Sequence, residues 1–160
     1  MIRKLFSVGG FCAFLAYSNN ADAQNYKNAI GLRLDLGEGS TLVGPAVKHF
    51  FSPRSAGEFS VLFGDNTTML GAEYQYHGPI TNAGGLQWYA GGGASVGFFR
   101  YFGYSQTDIW LRPLAGLDYK IGEVPLNFAF DWRPMVRLTH GDAGNRLSAA
   151  RFGLAARYTF

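Results

Sequence analysis

The chain is poor in cysteine, in proline, in charge and in long apolar runs, and each shortage excludes something. Its single cysteine among 160 residues, Cys12, lies in the first apolar stretch, so the rest has neither a disulfide framework nor a thiol nucleophile. Charged residues make up 16%, against a usual quarter, while 48% are hydrophobic, which excludes a disordered chain. The formal net charge is +3 with no basic run, so there is no electrostatic footprint for nucleic acid. No apolar run approaches the roughly 20 residues of a membrane helix. A mean hydropathy of -0.02 likewise excludes a polytopic helical membrane protein. No stretch holds a helical period for three turns. What abounds is glycine, at 22 residues, and aromatic side chains, at 16%. A chain so aromatic can average to neutral only if its hydrophobicity is patterned.

The first residues predict a cleavable secretory signal over 1–23. Arg3 and Lys4 form a positive start, Leu5 to Tyr17 an apolar stretch too short to span a bilayer, and Ala21 and Ala23 the small residues of a cleavage site. Phe11 before Cys12 is too bulky for a lipoprotein-type site, so no lipid anchor is expected. One domain is then predicted over 24–160.

Beyond that segment the dominant period is two. Eight runs set an apolar face against a polar one. Ile30, Leu32, Leu34 and Leu36 alternate with Gly31, Arg33 and Asp35. Similar runs centre on Val43–Lys48, Glu58–Phe63 and Leu70–Tyr76. The longest runs are Leu86–Phe98 and Ile109–Lys120, and the last two are Leu126–Arg133 and Arg151–Phe160. The chosen apolar faces carry no charge, while the opposite faces collect Arg33, Asp35, Lys48, Glu58, Glu73, Arg112, Asp118, Lys120, Asp131, Arg133, Arg151 and Arg157.

Alternation alone fits a soluble sandwich, a lipocalin-like soluble barrel and a membrane barrel. The first two turn the charged face to water; the third turns it to a lumen. Three features favour the third. The charged face is crowded with glycine, which makes room for long side chains in a narrow interior. Trp88, Phe98, Tyr119, Trp132, Tyr158 and Phe160 lie on the apolar face near run ends, where interfacial girdles sit. Tilted strands of about ten residues also span a hydrocarbon layer of roughly 25 Å. The predicted fold is an all-β, eight-stranded antiparallel up-and-down transmembrane β-barrel.

The last run, with Phe152, Leu154, Ala156, Tyr158 and a final Phe160, resembles the C-terminal β-signal by which outer-membrane barrels are recognised for insertion. The chain from residue 24 resembles the small eight-stranded outer-membrane barrel domains of the OmpA/OmpX type. Gly116 to Lys120, Leu126 to Phe128 and Asp131 to Pro134 are similar to segments of such barrels. The resemblance implies the outer membrane of a Gram-negative bacterium, membrane lipid and lipopolysaccharide as surroundings, and transient contact with barrel-assembly machinery and periplasmic chaperones. It implies a monomer and brings no activity or cofactor with it.

Beside a filled lumen of ion pairs stand other expectations. His49 and His77 fall at the periplasmic ends of runs two and four, while His140 lies in a loop near Asp142 and Ser148; only the last grouping suggests a lipid-modifying enzyme. Gly91 to Gly97 lies within a run rather than opening a helix, so it is not a nucleotide loop. The Asn66-Thr67-Thr68 sequon marks a turn. Outward loops are expected near Glu38–Ser40, Gly64–Thr67, Arg100–Gln106 and Met135–Arg146, where Tyr101, Phe102 and Tyr104 offer a surface for a ligand or lipopolysaccharide phosphate. Pro113 sits mid-run, and a bulge in 109–119 is expected to accommodate it. The alternatives that remain are a soluble periplasmic lipocalin-like binder and a lipid-modifying barrel enzyme.

Overall fold

The structure, a computed structural model, describes residues 26–139 and 146–160. The predicted leader with Ala21 and Ala23, and the segment carrying His140 and Asp142, lie outside the described residues. Ten antiparallel strands follow in order: β1 (Asn28–Gly37), β2 (Ser40–Phe50), β3 (Ser55–Gly64), β4 (Thr67–Pro79), β5 (Leu86–Tyr101), β6 (Tyr104–Lys120), β7 (Leu126–Trp132), β8 (Met135–Arg137), β9 (Leu147–Ser148) and β10 (Arg151–Thr159). β7 with β8, and β9 with β10, each make one interrupted stave, so the wall has eight staves. β1 pairs with β10 and β5 with β6, which closes the sheet into a barrel. No helix among the described residues is long and apolar enough to cross a membrane.

The registers fix the barrel's shape. From Leu126, successive partners Tyr158, Ile30, Val47, Phe59, Ala72, Ala94 and Leu111 lead back to Val136, ten residues further along the same stave. A shear of ten residues at about 3.4 Å, set against eight staves about 4.8 Å apart, tilts the strands by about 40°. Such a barrel is only wide enough for side chains to fill.

The period-two faces separate by burial. Outward Leu32 is 60% exposed and Phe130 49%, whereas inward Arg33 is completely buried. The expected aromatics Trp88, Phe98, Trp132, Tyr158 and Phe160 are exposed on the outer wall, but Tyr119 is not, at 6%. The connection 80–85 explains it in part: a side chain at Gly85 would contact the Tyr119 ring at 3.5 Å, so the turn packs over that ring.

Three hairpins on the upper end turn in two residues, at Glu38–Gly39, Asp65–Asn66 and Phe102–Gly103. The expected loop Arg100–Gln106 is therefore mostly strand: cross-strand pairing runs up to Tyr101 and Tyr104. Phe102 and Gly103 both take positive φ, 41° and 85°, which lets the hairpin close in so few residues. Within the expected loop Met135–Arg146, residues 135–137 form β8. The longer connections 51–54, 80–85 and 121–125 lie at the lower end.

Pro113 corrects the sequence reading. β6 runs without a bulge, and the pairs Leu111–Val136 and Ala115–Trp132 share one register, which sets Pro113 opposite Pro134. The Leu138 amide donates to the Ile109 carbonyl, so by alternation the ladder would exchange two bonds at the Pro113–Pro134 rung. The two missing donors thus face each other, and neither proline strands an amide elsewhere. The bulge falls on the far side of Pro134. Arg133 bonds Arg151 and Met135 pairs with Ser148, so Pro134 alone faces both Ala149 and Ala150.

Candidate functional site: the charged lumen

Each inward charge takes one of the alternate positions that face the lumen along its strand, and the shear decides which charges meet. Glu58 of β3 receives Arg33 Nε at 2.5 Å and Arg157 Nη2 at 2.5 Å, and accepts a bond from Gln75 Nε2 at 3.3 Å. Asp131 of β7 takes Arg33 Nη1 at 3.0 Å, the Arg133 guanidinium and the Tyr89 hydroxyl. Arg133 also reaches Glu73 at 3.0 Å. Lys48 Nζ donates to Asp118 at 2.7 Å, and Asn127 ties Asp118 to Arg157, accepting from Arg157 Nη1 at 2.9 Å. Higher in the barrel, Asp35 binds Arg112 and, at 3.0 Å, Arg151.

Most links join strands that are not neighbours, whereas Asp35–Arg151 joins the paired β1 and β10, and Asp131–Arg133 stays within one stave. Carboxylates on β1, β3 and β4 hold guanidiniums from β6, the β7–β8 stave and β10, and carboxylates on β6 and β7 hold Lys48 and Arg33. Burial of an unpaired charge is costly, and a pair offsets that cost only when its remaining lone pairs and protons are also bonded. Glycine makes the space. A side chain at Gly153 would run into the Asp131 carboxylate, with Arg133 Nε at 2.7 Å and Arg33 Nη1 at 2.9 Å.

Lys120 departs from the sequence reading. Its Nζ donates to the carbonyls of Ile121, Gly122 and Val124 at 2.8, 3.1 and 2.6 Å, clipping the connection after β6 instead of joining the lumenal pairs. Its position at the end of the strand, beyond the last inward carboxylate on β6, is the cause. Four polar partners were not singled out by charge alone: Gln75, Tyr89, Asn127 and Asp108. The first three share the inward face of their runs, so the alternation pointed to them. Asp108 precedes the predicted start of its run; it accepts from Gln106 at 2.9 Å and Thr139 at 2.7 Å.

Apolar layers lie above and below the charges. Leu42, Leu62, Met69 and Met135 pack together under Trp110 toward the upper end, with Arg112 Nη1 at 3.3 Å from the Met69 sulfur. Tyr26, Ala29, Phe50 and Ala56 cluster at the lower end. His77 is buried there between the Phe50 and Tyr89 rings, and Lys48 Nζ lies 5.2 Å from each of those ring centres. His49 sits at the lower rim with Nδ1 2.7 Å from Asn28 Oδ1. Neither histidine is hydrogen-bonded to a serine or a carboxylate among the described residues, and no cluster there could hold a metal ion. Ser148 is in β9, while its expected companions His140 and Asp142 are outside the described residues. Gly91, Gly92 and Gly93 lie within β5, and Asn66 is a hairpin turn with φ 54°.

No protein-family model and no curated protein matches the chain. Solved structures that share its fold include two outer-membrane barrels. The N-terminal β-barrel domain of Pseudomonas aeruginosa OprF superposes with a TM-score of 0.65 at 15% identity, covering 84% of this chain and 98% of that one. Neisserial surface protein A superposes with a TM-score of 0.53 at 16% identity, covering 84% of this chain and 96% of that one.

Proposed function

We propose that this chain, an eight-stranded barrel of the OmpA type in fold, is an integral protein of the outer membrane of a Gram-negative bacterium. Its role is structural or one of surface interaction, its lumen is filled with side chains, and it is not an enzyme. The observation that carries this reading is the inversion of the faces. Leu32, Leu34, Phe59, Phe63 and Phe130 stand exposed on the outside, while Arg33, Asp35, Lys48, Arg112, Asp118, Asp131, Arg133 and Arg157 are buried inside. A soluble barrel would leave a continuous apolar wall in water, far beyond the few hundred Å² that monomers expose. A lipid solvent removes that cost, and strand closure satisfies all but a few of the wall's backbone groups without water. The shared fold with OprF and Neisserial surface protein A supports the same reading.

In this reading the protein is exported by cleavage after Ala23, is surrounded by phospholipid and lipopolysaccharide, and inserts as a monomer. Periplasmic chaperones and the barrel-assembly machinery handle it transiently, the latter through Phe152, Leu154, Ala156, Tyr158 and Phe160. The test is membrane fractionation with gel mobility compared before and after heating. A membrane-bound, heat-modifiable species is expected, and a detergent-free soluble monomer would overturn the reading. Sustained large conductance in single-channel recordings would overturn the filled lumen alone.

A further inference from the structure

The outer wall is not evenly covered. Three strand glycines take outward positions: Gly57, Gly78 and Gly92. A Cβ at Gly57 would meet the Phe51 ring at 2.8 Å, and one at Gly78 would run into the Trp88 indole, so neighbouring rings cover both. At Gly92 the nearest atoms are the Arg112 carbonyl oxygen at 3.6 Å and Pro113 Cα at 3.7 Å. A larger residue would fit there without strain, and it would pack the strand better than glycine does. Glycine at a bare strand position marks a place where something else approaches.

Gly92 opens into a groove of about 770 Å³ on the wall of β1 to β5, bordered by Ile30, Val47, Phe59, Ala72 and Tyr74. Tyr74 pairs with both Gly57 and Gly92, and its hydroxyl donates to Ser55 Oγ at 2.8 Å, which leans the ring toward the lower rim. At that rim the groove reaches Asn28, His49 and Phe51. Exposed Lys27 and Arg54 lie outside the lining itself, Lys27 next to Asn28 in sequence and Arg54 three residues after Phe51, with Arg54 Nη1 at 3.4 Å from the Tyr76 hydroxyl. Glu58 and Glu73 also line the groove, but their carboxylates are buried on Arg157 and Arg133 in the lumen, and no acidic residue occurs in 26–28 or 49–57. Across the β1–β10–β7 seam large side chains face one another instead: Leu34 faces Leu154, and Leu154 faces Phe130.

We infer that this groove holds one acyl chain of a membrane phospholipid, with its phosphate at the rim formed by Lys27, His49 and Arg54. The inference rests on the membrane reading above. A chain lying in the hollow loses more apolar surface than one lying against the convex wall, so it exchanges more slowly than the surrounding lipid. The rim's positive charge complements a phosphate. A second copy of the protein fits less well, because a two-fold contact on this patch would bring the two sets of rim cations together.

The full chain refolded into vesicles of dioleoyl phosphatidylcholine and dioleoyl phosphatidylglycerol, then moved to detergent and weighed by native mass spectrometry, tests this. The expected species is a monomer carrying one phospholipid, enriched in phosphatidylglycerol. Filling the groove with Ala72→Leu and Gly92→Leu should lower lipid occupancy about tenfold, with heat-modifiable mobility unchanged. Gly92→Ala, the milder change, should lower it partway. Lys27→Gln with Arg54→Gln should keep the lipid and lose the preference for phosphatidylglycerol. A bare wild-type barrel, undiminished lipid on the filled variants, or a dimer in place of the lipid would each overturn the inference. A chain that never enters the vesicles would instead overturn the membrane reading on which it rests.

Discussion

From β1 to β5 the wall is a nearly continuous ladder, interrupted only where Pro45 faces β3. From β6 to β10 it loses both bonds of the Pro113–Pro134 rung, bulges at Ala149–Ala150, and breaks two staves into pieces. Yet the side chains beside the gap are tied into the lumenal charge pairs. Arg112 precedes Pro113, Arg133 precedes Pro134, and Arg151 accepts the Arg133 amide across the bulge. All three reach carboxylates of the first half, at Asp35 or Glu73. Where main-chain bonds are missing, charge pairs to β1 and β4 hold the wall; where the ladder is whole, the same kind of pair is only one contribution among several.

The largest effect should come from cutting the link the two halves share. Glu58→Leu leaves Arg33 and Arg157 without their common carboxylate and should lower unfolding stability by about 3–5 kcal/mol in urea titration in micelles. Adding Arg157→Leu should restore part of that loss.

Asp35→Asn sharpens the comparison. It should cost about 3 kcal/mol, and amide hydrogen exchange should accelerate at 109–115 and 132–137, beside the gap. Lys48→Met should leave exchange at those amides unchanged. Equal acceleration in both variants would remove the special role given to Arg112 and Arg151.

Pro113→Val with Pro134→Val should erase the difference between the halves. Two restored bonds are worth about 1–2 kcal/mol, and exchange around the rung should slow toward the rates of β3 to β5.

The smallest expected change lies outside both walls. Phe102, fully exposed with φ 41°, sits in a region that asparagine tolerates far better. Phe102→Asn should raise stability by at most about 1 kcal/mol, with exchange in both walls unaltered.

The alternation told which face each residue would take, because a strand leaves no other choice. Arg33 and Leu34 go to opposite sides whatever their partners. It could not tell that Arg33 meets Asp131 or that Arg157 meets Glu58, since those encounters depend on the ten-residue shear, a property of all eight registers together. Lys120 shows the same limit at a strand end, where three nearby carbonyls outcompete a more distant carboxylate. Pro113 was legible as a conflict, but its resolution was not: only the register reveals that a second proline stands opposite.

The rung joining Asn28 and Phe160, whose amides and carbonyls exchange two bonds at 2.9 Å, has a consequence in time. It joins residues from opposite ends of the barrel sequence, and loop-closure entropy must be overcome before it yields any return. Until it forms, β1 and β10 are both open edges. Folding should therefore be slow and governed by this late closure, and substitutions that weaken only the β1–β10 seam should slow folding more than equally destabilising changes within the β5–β6 hairpin.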